Sequence, residues 1–286
     1  MDWHGFVALW CAVLGAVALV GYGRSLTGMT KAQRAVRVRG RIERVREPRH
    51  GGSHRDGISV VVSYRDPSTG QDVTVTNDGD RGERITAAWT DREIEVSYPP
   101  RRPHAFRFST DLRPVGRGLG RPNTALFFGY LGLVVVAAID WGWPWALVGV
   151  CGPWAVTIAC HLPGNVRDVH RRRETTDSMV AVPGRVIAVL KDVSSDAEGG
   201  TTTTITPVVA FTTREGTAVT AHCTAGLPNP AGSHRRELTV HYSPADPADF
   251  TPDLEARRRS QRTDVTVNVL GLVVIAAAAV VGAVLL

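Results

Sequence analysis

Four stretches of this chain hold no lysine, arginine, aspartate or glutamate: residues 5–22, 124–139, 141–162 and 265–286. A helix crosses a bilayer with about 17–25 apolar residues, so 124–139 is slightly short and the others meet the requirement. A soluble core helix rarely runs this far without one charge, so all four are read as transmembrane helices. The charge distribution agrees. All 33 basic residues fall between Arg24 and Arg121 or between Arg167 and Arg262. A soluble globular enzyme does not segregate charge in this way. Intrinsic disorder is excluded because 43% of the residues are hydrophobic.

The two middle segments form a hairpin around Asp140, beside Trp141, Trp143 and Trp145. Tryptophans at a turn between spans fit an interfacial aromatic belt. The chain begins Met1-Asp2-Trp3-His4, without the basic start of a signal peptide, so the first span is expected to be an uncleaved anchor. Lipidation at Cys11 is not expected, because the bulky Trp10 precedes it.

The flanks predict an orientation. Arg24, Lys31, Arg34 and Arg37 follow the first span, and Arg113, Arg117 and Arg121 precede the second. Arg167, Arg171, Arg172 and Arg173 follow the third, and Arg257, Arg258, Arg259 and Arg262 precede the fourth. Positive charge beside a span resists translocation, so both long loops are expected to be cytoplasmic and both termini outside.

The two loops are alike. Gly40-Arg41-Ile42 matches Gly184-Arg185-Val186, and Val60–Tyr64 loosely matches Thr206–Phe211. Gly70-Gln71-Asp72-Val73-Thr74 matches Gly216-Thr217-Ala218-Val219-Thr220. Ile94-Glu95-Val96-Ser97-Tyr98-Pro99-Pro100 lies opposite Leu238-Thr239-Val240-His241-Tyr242-Ser243-Pro244. Pro103 and Phe106 then fall on Pro247 and Phe250, 144 residues later. The chain therefore reads as two copies of span, soluble block, span. Alternation at Val36–Arg39 and Ile94–Tyr98, with a Pro-Ser-Thr-Gly turn at 67–70, predicts short strands. Segments 50–55 and 194–204 read as mobile loops. The expected fold is an integral membrane α+β protein. It has four transmembrane helices and two small antiparallel β domains, barrel or sandwich, at 33–113 and 179–254, each of about five strands and able to fold on its own.

A strand ending Val-x-Tyr-x-Pro-x-x-Pro, after a Gly-Arg-Val/Ile strand and a hairpin, resembles the bacterial membrane family "domain of unknown function 3592", here in two tandem copies. The copies read Val96-Ser97-Tyr98-Pro99-Pro100-Arg101-Arg102-Pro103 and Val240-His241-Tyr242-Ser243-Pro244-Ala245-Asp246-Pro247. The family's usual Asn-Pro is Arg-Pro in the first copy and Asp-Pro in the second. The resemblance implies a membrane-anchored β domain and no known activity. On the residues alone, Tyr98 packs inward with Val96 and Ile94. Pro99 and Pro100 end pairing, and Phe106 closes the core.

The residues offer no catalytic constellation. Cys11, Cys151, Cys160 and Cys223 lack any Cys-x-x-Cys partner and read as small packing residues. His50 and His54 read as a solvated loop. His222, Cys223, His234 and His241 are the least poor metal set, but Thr76-Asn77 stands opposite His222-Cys223, so a metal is not part of the repeated design. No phosphate-binding Gly-Lys loop and no Gly-x-Ser-x-Gly elbow is present, and Gly116-Arg117-Gly118 precedes a span rather than a Rossmann helix. Glu93 and Glu95 share one strand face and read as solvated. No catalytic residue, cofactor or metal is expected, and nucleic acid is not an expected partner. Arg171, Arg172, Arg173, Arg257, Arg258 and Arg259 are expected to meet anionic lipid headgroups.

The expected function is a multi-pass bacterial membrane protein that acts as a non-enzymatic scaffold and presents two cytoplasmic β modules to an unidentified protein partner. An accessory subunit of a transporter or channel is the alternative. Within the first span, Ala8, Ala12 and Ala16 form a row of small residues expected to face the helix bundle, with Ala278 and Gly282 as a matching surface.

Overall fold

The structure is a computed structural model. It describes residues 3–29, 31–53, 57–77, 85–100, 102, 105–109, 119–195, 200–224 and 226–286. The sequence readings that fall on His54, Arg101, Pro103, Arg113 and Gly116–Gly118 lie outside the described residues. The chain divides into two compact units. One is helical and holds residues 1–34, 115–172 and 260–286. The other holds both β blocks, 35–114 and 173–259.

The helices are α1 (Trp3–Leu26), the single turn α2 (Lys31–Arg34), α3 (Gly120–Trp141), α4 (Pro144–Asp177) and α5 (Leu254–Val284). Among the described residues three stretches are long and apolar enough to cross a membrane: Trp3–Leu26, Gly120–Trp141 and Pro144–His161. In α5 the described apolar stretch is the shorter Val269–Val284. The helices do not stop at the apolar boundaries. α4 continues past Pro163 and Gly164 through Arg171–Arg173, and α5 begins before Arg257, in stretches rich in arginine, a good helix former.

Within the helical unit α1 packs on α3. Cys11 Sγ lies 3.7 Å from the Gly129 carbonyl, and the Tyr22 hydroxyl donates to Asn123 Oδ1 at 2.7 Å. Val7, Ala18 and Ser25 are buried, whereas Ala8, Ala12 and Ala16 are exposed. This corrects the expected inward alanine row. The seam follows another face of the same helix. Gly282 packs on α4, where an added Cβ would lie 2.8 Å from Leu147 Cβ. The seam predicts a mutant pair. A Cβ at Gly21 would sit 2.8 Å from the rigid Pro122 ring, so Gly21→Leu is expected to cost about 1–3 kcal/mol by overpacking. Ala12→Leu is expected to leave the melting temperature in detergent unchanged. Equal melting of both variants would place the seam elsewhere.

The β unit contains two antiparallel sheets. In the first, the order is β3 (Asp72–Thr76), β2 (Val60–Arg65), β1 (Val36–Val45), β5 (Glu93–Tyr98), β6 (Arg107–Ser109). In the second, it is β9 (Ala218–His222), β8 (Thr201–Thr212), β7 (Val180–Ser195), β10 (Glu237–Ser243), β11 (Asp246–Thr251). The short strand β4 (Ala87–Ala88), from the first block, adds to the free edge of β9. Counting from the first strand of each block, the two five-strand orders are the same. The registers also correspond. Gly40 pairs with Tyr64 and Ile94, and Gly184 pairs with Phe211 and Leu238. Each central strand bulges at the same place, between Ile42 and Arg44 in one and between Val186 and Ala188 in the other.

Alternation explains the cores. On β1 the residues facing in are Val36, Val38, Gly40 and Ile42, and the arginines between them face out. Ile42, Val62, Ile94, Val96, Tyr98 and Phe108 form the first core, and Val186, Val209, Phe211, Val240 and Tyr242 form the second. The Pro-Ser-Thr-Gly turn is a hairpin loop, with Gly70 at φ +69° and its N–H on the Asp66 carbonyl. In the segment 194–204, the described residues Ser194–Ser195 and Thr201–Thr204 are strand. β7 and β8 extend their pairing to Ser195 and Thr201, since a run of threonines favours strand. His50–Ser53 is also ordered against the second block. Gly51 N donates to the Val189 carbonyl at 2.9 Å, and Lys191 N donates to the Gly52 carbonyl at 3.0 Å.

The two blocks thus interlock. Ala87 pairs with Ala221 and belongs to the second core, against which Trp89 also packs. His50 stacks on His234 with ring centroids 3.9 Å apart, and its Nδ1 accepts from Val189 N. Ser53 donates to Asp192 at 2.7 Å.

Candidate functional site

The tyrosine of each Val-x-Tyr-x-Pro strand faces in, and its hydroxyl reaches the hairpin loop between the second and third strands of its block. Tyr98 donates to Asp66 Oδ1 at 2.9 Å. Tyr242 donates to Glu215 Oε2 at 3.1 Å and accepts from Arg214 N at 3.0 Å. Both tyrosines are buried. Asp66 also accepts from the backbone N–H and the hydroxyl of Ser68 and from Thr69. Each tyrosine therefore latches its last strand to its hairpin loop through a carboxylate. The two carboxylates come from different loop positions. Asp66 opens a four-residue loop and Glu215 lies within a three-residue one, so alignment of the two blocks does not reveal the shared contact.

The latch shifts its own groups. Burial and then the Asp66 hydrogen bond push the Tyr98 hydroxyl up to about 12. The Ser68 N–H and hydroxyl, followed by Tyr98 and Thr69, hold Asp66 below the usual carboxylate range against the opposing effect of burial. Glu215 is lowered by its own backbone N–H first, then by Thr213 and Tyr242. An acid with a lowered folded value stabilises the fold above its unfolded value, and that stability is lost as pH falls through the folded one. Their contribution is therefore full above about pH 4 and is lost only on acidification below it.

His234 is shifted as well. Burial, His50, Arg235 and Arg185, in that order, hold it below the ordinary histidine value. The unfolded histidine binds its proton near pH 6.5, before the folded one does. Stability is thus full above that pH and declines as the pH falls beneath it. Melting of the full chain between pH 7.5 and 5.5 is expected to show this decline, and His234→Gln is expected to flatten it. An unchanged slope in the variant would remove His234 from the effect.

The outer faces of the two sheets differ. On the first, Arg37, Arg39 and Arg41 of β1 meet Glu95, Glu93 and Asp91 in a cross-strand series at 2.9, 3.6 and 2.9 Å. The expected solvated Glu93 and Glu95 are therefore ion-paired. The exposed pairs contribute about 0–1 kcal/mol each, less than one buried core side chain. On the second sheet the register-equivalent positions are Ala181, Pro183 and Arg185, opposite His241, Thr239 and Glu237 respectively. An open cleft of about 1010 Å³ lies over this face, lined by Pro183, Arg185, Thr212, Thr220 and Thr239 among others. The charged series of the first sheet is replaced there by small, mostly uncharged side chains.

The remaining sequence candidates do not converge. His222 is buried on β9, Cys223 is in the second core, His241 is on β10 and His234 is stacked on His50. Among the described residues no group of three or more His, Cys, Asp or Glu side chains is placed to hold a metal. Cys160 is exposed rather than packed. Arg257 pairs with Asp249 at 2.7 Å and Arg258 with Asp177 at 2.9 Å. Arg171, Arg172, Arg173 and Arg259 are exposed. Three consecutive helical arginines point about 100° apart, so they do not share one face. Comparison with family models, characterised proteins and solved structures yields no match.

Proposed function

We propose that the chain is a multi-pass protein of the bacterial cell membrane, built as two tandem copies of span, β module, span. In this reading it resembles the family "domain of unknown function 3592", has both termini outside, and acts as a non-enzymatic scaffold. Its β modules face the cytoplasm and hold a protein partner, and arginines 171–173 and 257–259 lie at anionic headgroups. The observation that carries the reading is the placement of apolar surface. Large hydrophobic side chains such as Phe6, Leu19, Val20, Leu133 and Val274 are exposed all round the helices, whereas nearly all such side chains of the sheets are inside. Water does not support a helix that is apolar on every side, and hydrocarbon does. The common strand order, register and bulge of the two sheets support duplication.

Alkaline-phosphatase and fluorescent-protein fusions after Ser109 and at Gly200 test the orientation. Fluorescence without phosphatase activity is expected at both, and phosphatase activity at either overturns it. The partner is tested by cross-linking in intact membranes. A protein captured by the wild type and lost from Thr239→Arg, which fills the second sheet's cleft with charge, fits the scaffold. Capture indifferent to that change refutes the assigned face. The second reading, an accessory subunit of a transporter or channel, is favoured by one observation: an ionisable group, Asp140, lines a cleft between α3 and α4.

A further inference from the structure

α3 and α4 are joined at Gly142 and Trp143, and a cleft of about 620 Å³ opens between them. Its walls are hydrocarbon and aromatic: Leu133, Val136, Val148, Tyr130, Trp141 and Trp145. The two indoles are tilted against each other with centroids 5.1 Å apart, and the Tyr130 hydroxyl is held on the Gly149 carbonyl at 2.5 Å. One charged side chain, Asp140, lines the cleft.

The charge around Asp140 is unbalanced. It lies in the last turn of α3, where the helix dipole already places partial negative charge, and that turn contains no basic residue. No lysine or arginine occurs anywhere between Arg121 and Arg167. The imidazole of His4 on α1, which carries charge only when protonated, has its Nε2 3.9 Å from Asp140 Oδ1, and its side chain is 67% exposed. A carboxylate, the negative end of a helix and aromatic ring faces all attract a cation, and the apolar walls accept a hydrocarbon chain.

We infer that this cleft binds an amphiphilic organic monocation, an amine or quaternary ammonium carried on a hydrocarbon chain. The ammonium sits at Asp140 against Trp141 and Trp145, and the chain lies along Leu133, Val136 and Val148. The same chemistry is presented by a free lipophilic amine and by the headgroup of an ethanolamine lipid. The site is separate from the β-module surface assigned above and does not depend on which side of the membrane it faces.

The test uses the full chain in maltoside detergent, with decyltrimethylammonium as probe below its micelle-forming concentration and decanol as its uncharged counterpart. Saturable quenching of indole fluorescence by the ammonium is expected, with decanol at least tenfold weaker. Asp140→Asn is expected to weaken ammonium binding at least tenfold and leave the melting temperature of the unliganded protein unchanged. His4→Ala, which removes the imidazole beside Asp140, is expected to leave ammonium binding no weaker. Equal binding of decanol and ammonium overturns the assignment. So does equal binding by wild type and Asp140→Asn. If Asp140→Asn does not fold, weaker binding by His4→Ala overturns it as well. Native mass spectrometry from nanodiscs of phosphatidylethanolamine and phosphatidylglycerol separates the sources. Asp140-dependent retention of the ethanolamine lipid assigns the site to a headgroup. Asp140-dependent binding of the free ammonium without lipid retention assigns it to a soluble amine. Neither kind of dependence on Asp140 rejects both.

Discussion

Gly184→Val is expected to destabilise the second sheet sharply. Gly184 is a core-facing position of the central strand, paired on one side with Phe211 and on the other with Leu238. A Cβ there would lie 2.5 Å from Val240 Cγ2 and 3.4 Å from Phe211 Cβ. Val240 is fully buried and Phe211 nearly so, so neither has solvent to move into. Overpacking of this kind costs about 1–3 kcal/mol, a large part of a typical stability of about 5–15 kcal/mol. Gly40→Val is expected to act in the same sense, with its Cβ 2.7 Å from Val62 Cγ1 and 2.8 Å from Val96 Cγ2. Thr239→Val, one residue away but on the outer face, is expected to melt like wild type. The readout is the thermal transition of the strand signal in circular dichroism. Wild-type melting of Gly184→Val would show that β7 does not approach β10 as closely as described.

Residues 180–253 expressed alone are expected to be much less stable than the same sheet in the whole chain. Cutting the chain there removes Ala87 and Trp89 from the second core and strips β4 from the edge of β9. It also breaks the bond from His222 N to the Thr86 carbonyl, 2.7 Å, and the stack of His50 on His234. An unpaired strand edge beside a core that has lost two side chains favours aggregation. Adding residues 35–109 in trans is expected to raise the melting temperature and to protect the amides of Ala221 and His222 from exchange. A fragment 180–253 as stable alone as in the full chain would show that the exchanged strand contributes nothing.

That outcome differs from two self-sufficient modules, the arrangement that alternation and length suggest. Local pattern identifies each block's own strands, because a period of two along Val36–Ile42 or Glu237–Ser243 depends only on which face is buried. It does not identify Ala87–Ala88. Two alanines carry no alternation, and they become a strand only because β9 of the other block leaves its edge free.

Other features divide on the same principle. The apolar helices, the 67–70 hairpin and the core-facing Tyr98 and Tyr242 were legible in the sequence, since each follows from composition or periodicity over a few neighbouring residues. The partners of those tyrosine hydroxyls were not, because Asp66 and Glu215 stand at different positions of loops of different length and meet the same point only after folding. The inward face of α1 was also not legible. When every side of a helix is apolar, hydrophobicity has no direction to encode, and the seam through Val7, Ala18 and Gly21 is decided by close packing against Pro122 and the other residues of α3. Sequence alone thus determined what is apolar, which alternating segments are strands and where charge is confined. Tertiary structure decided which edges and faces meet, because those contacts join residues that share no local pattern: Ala87 with Ala221, His50 with His234, and Asp140 with the walls of its cleft.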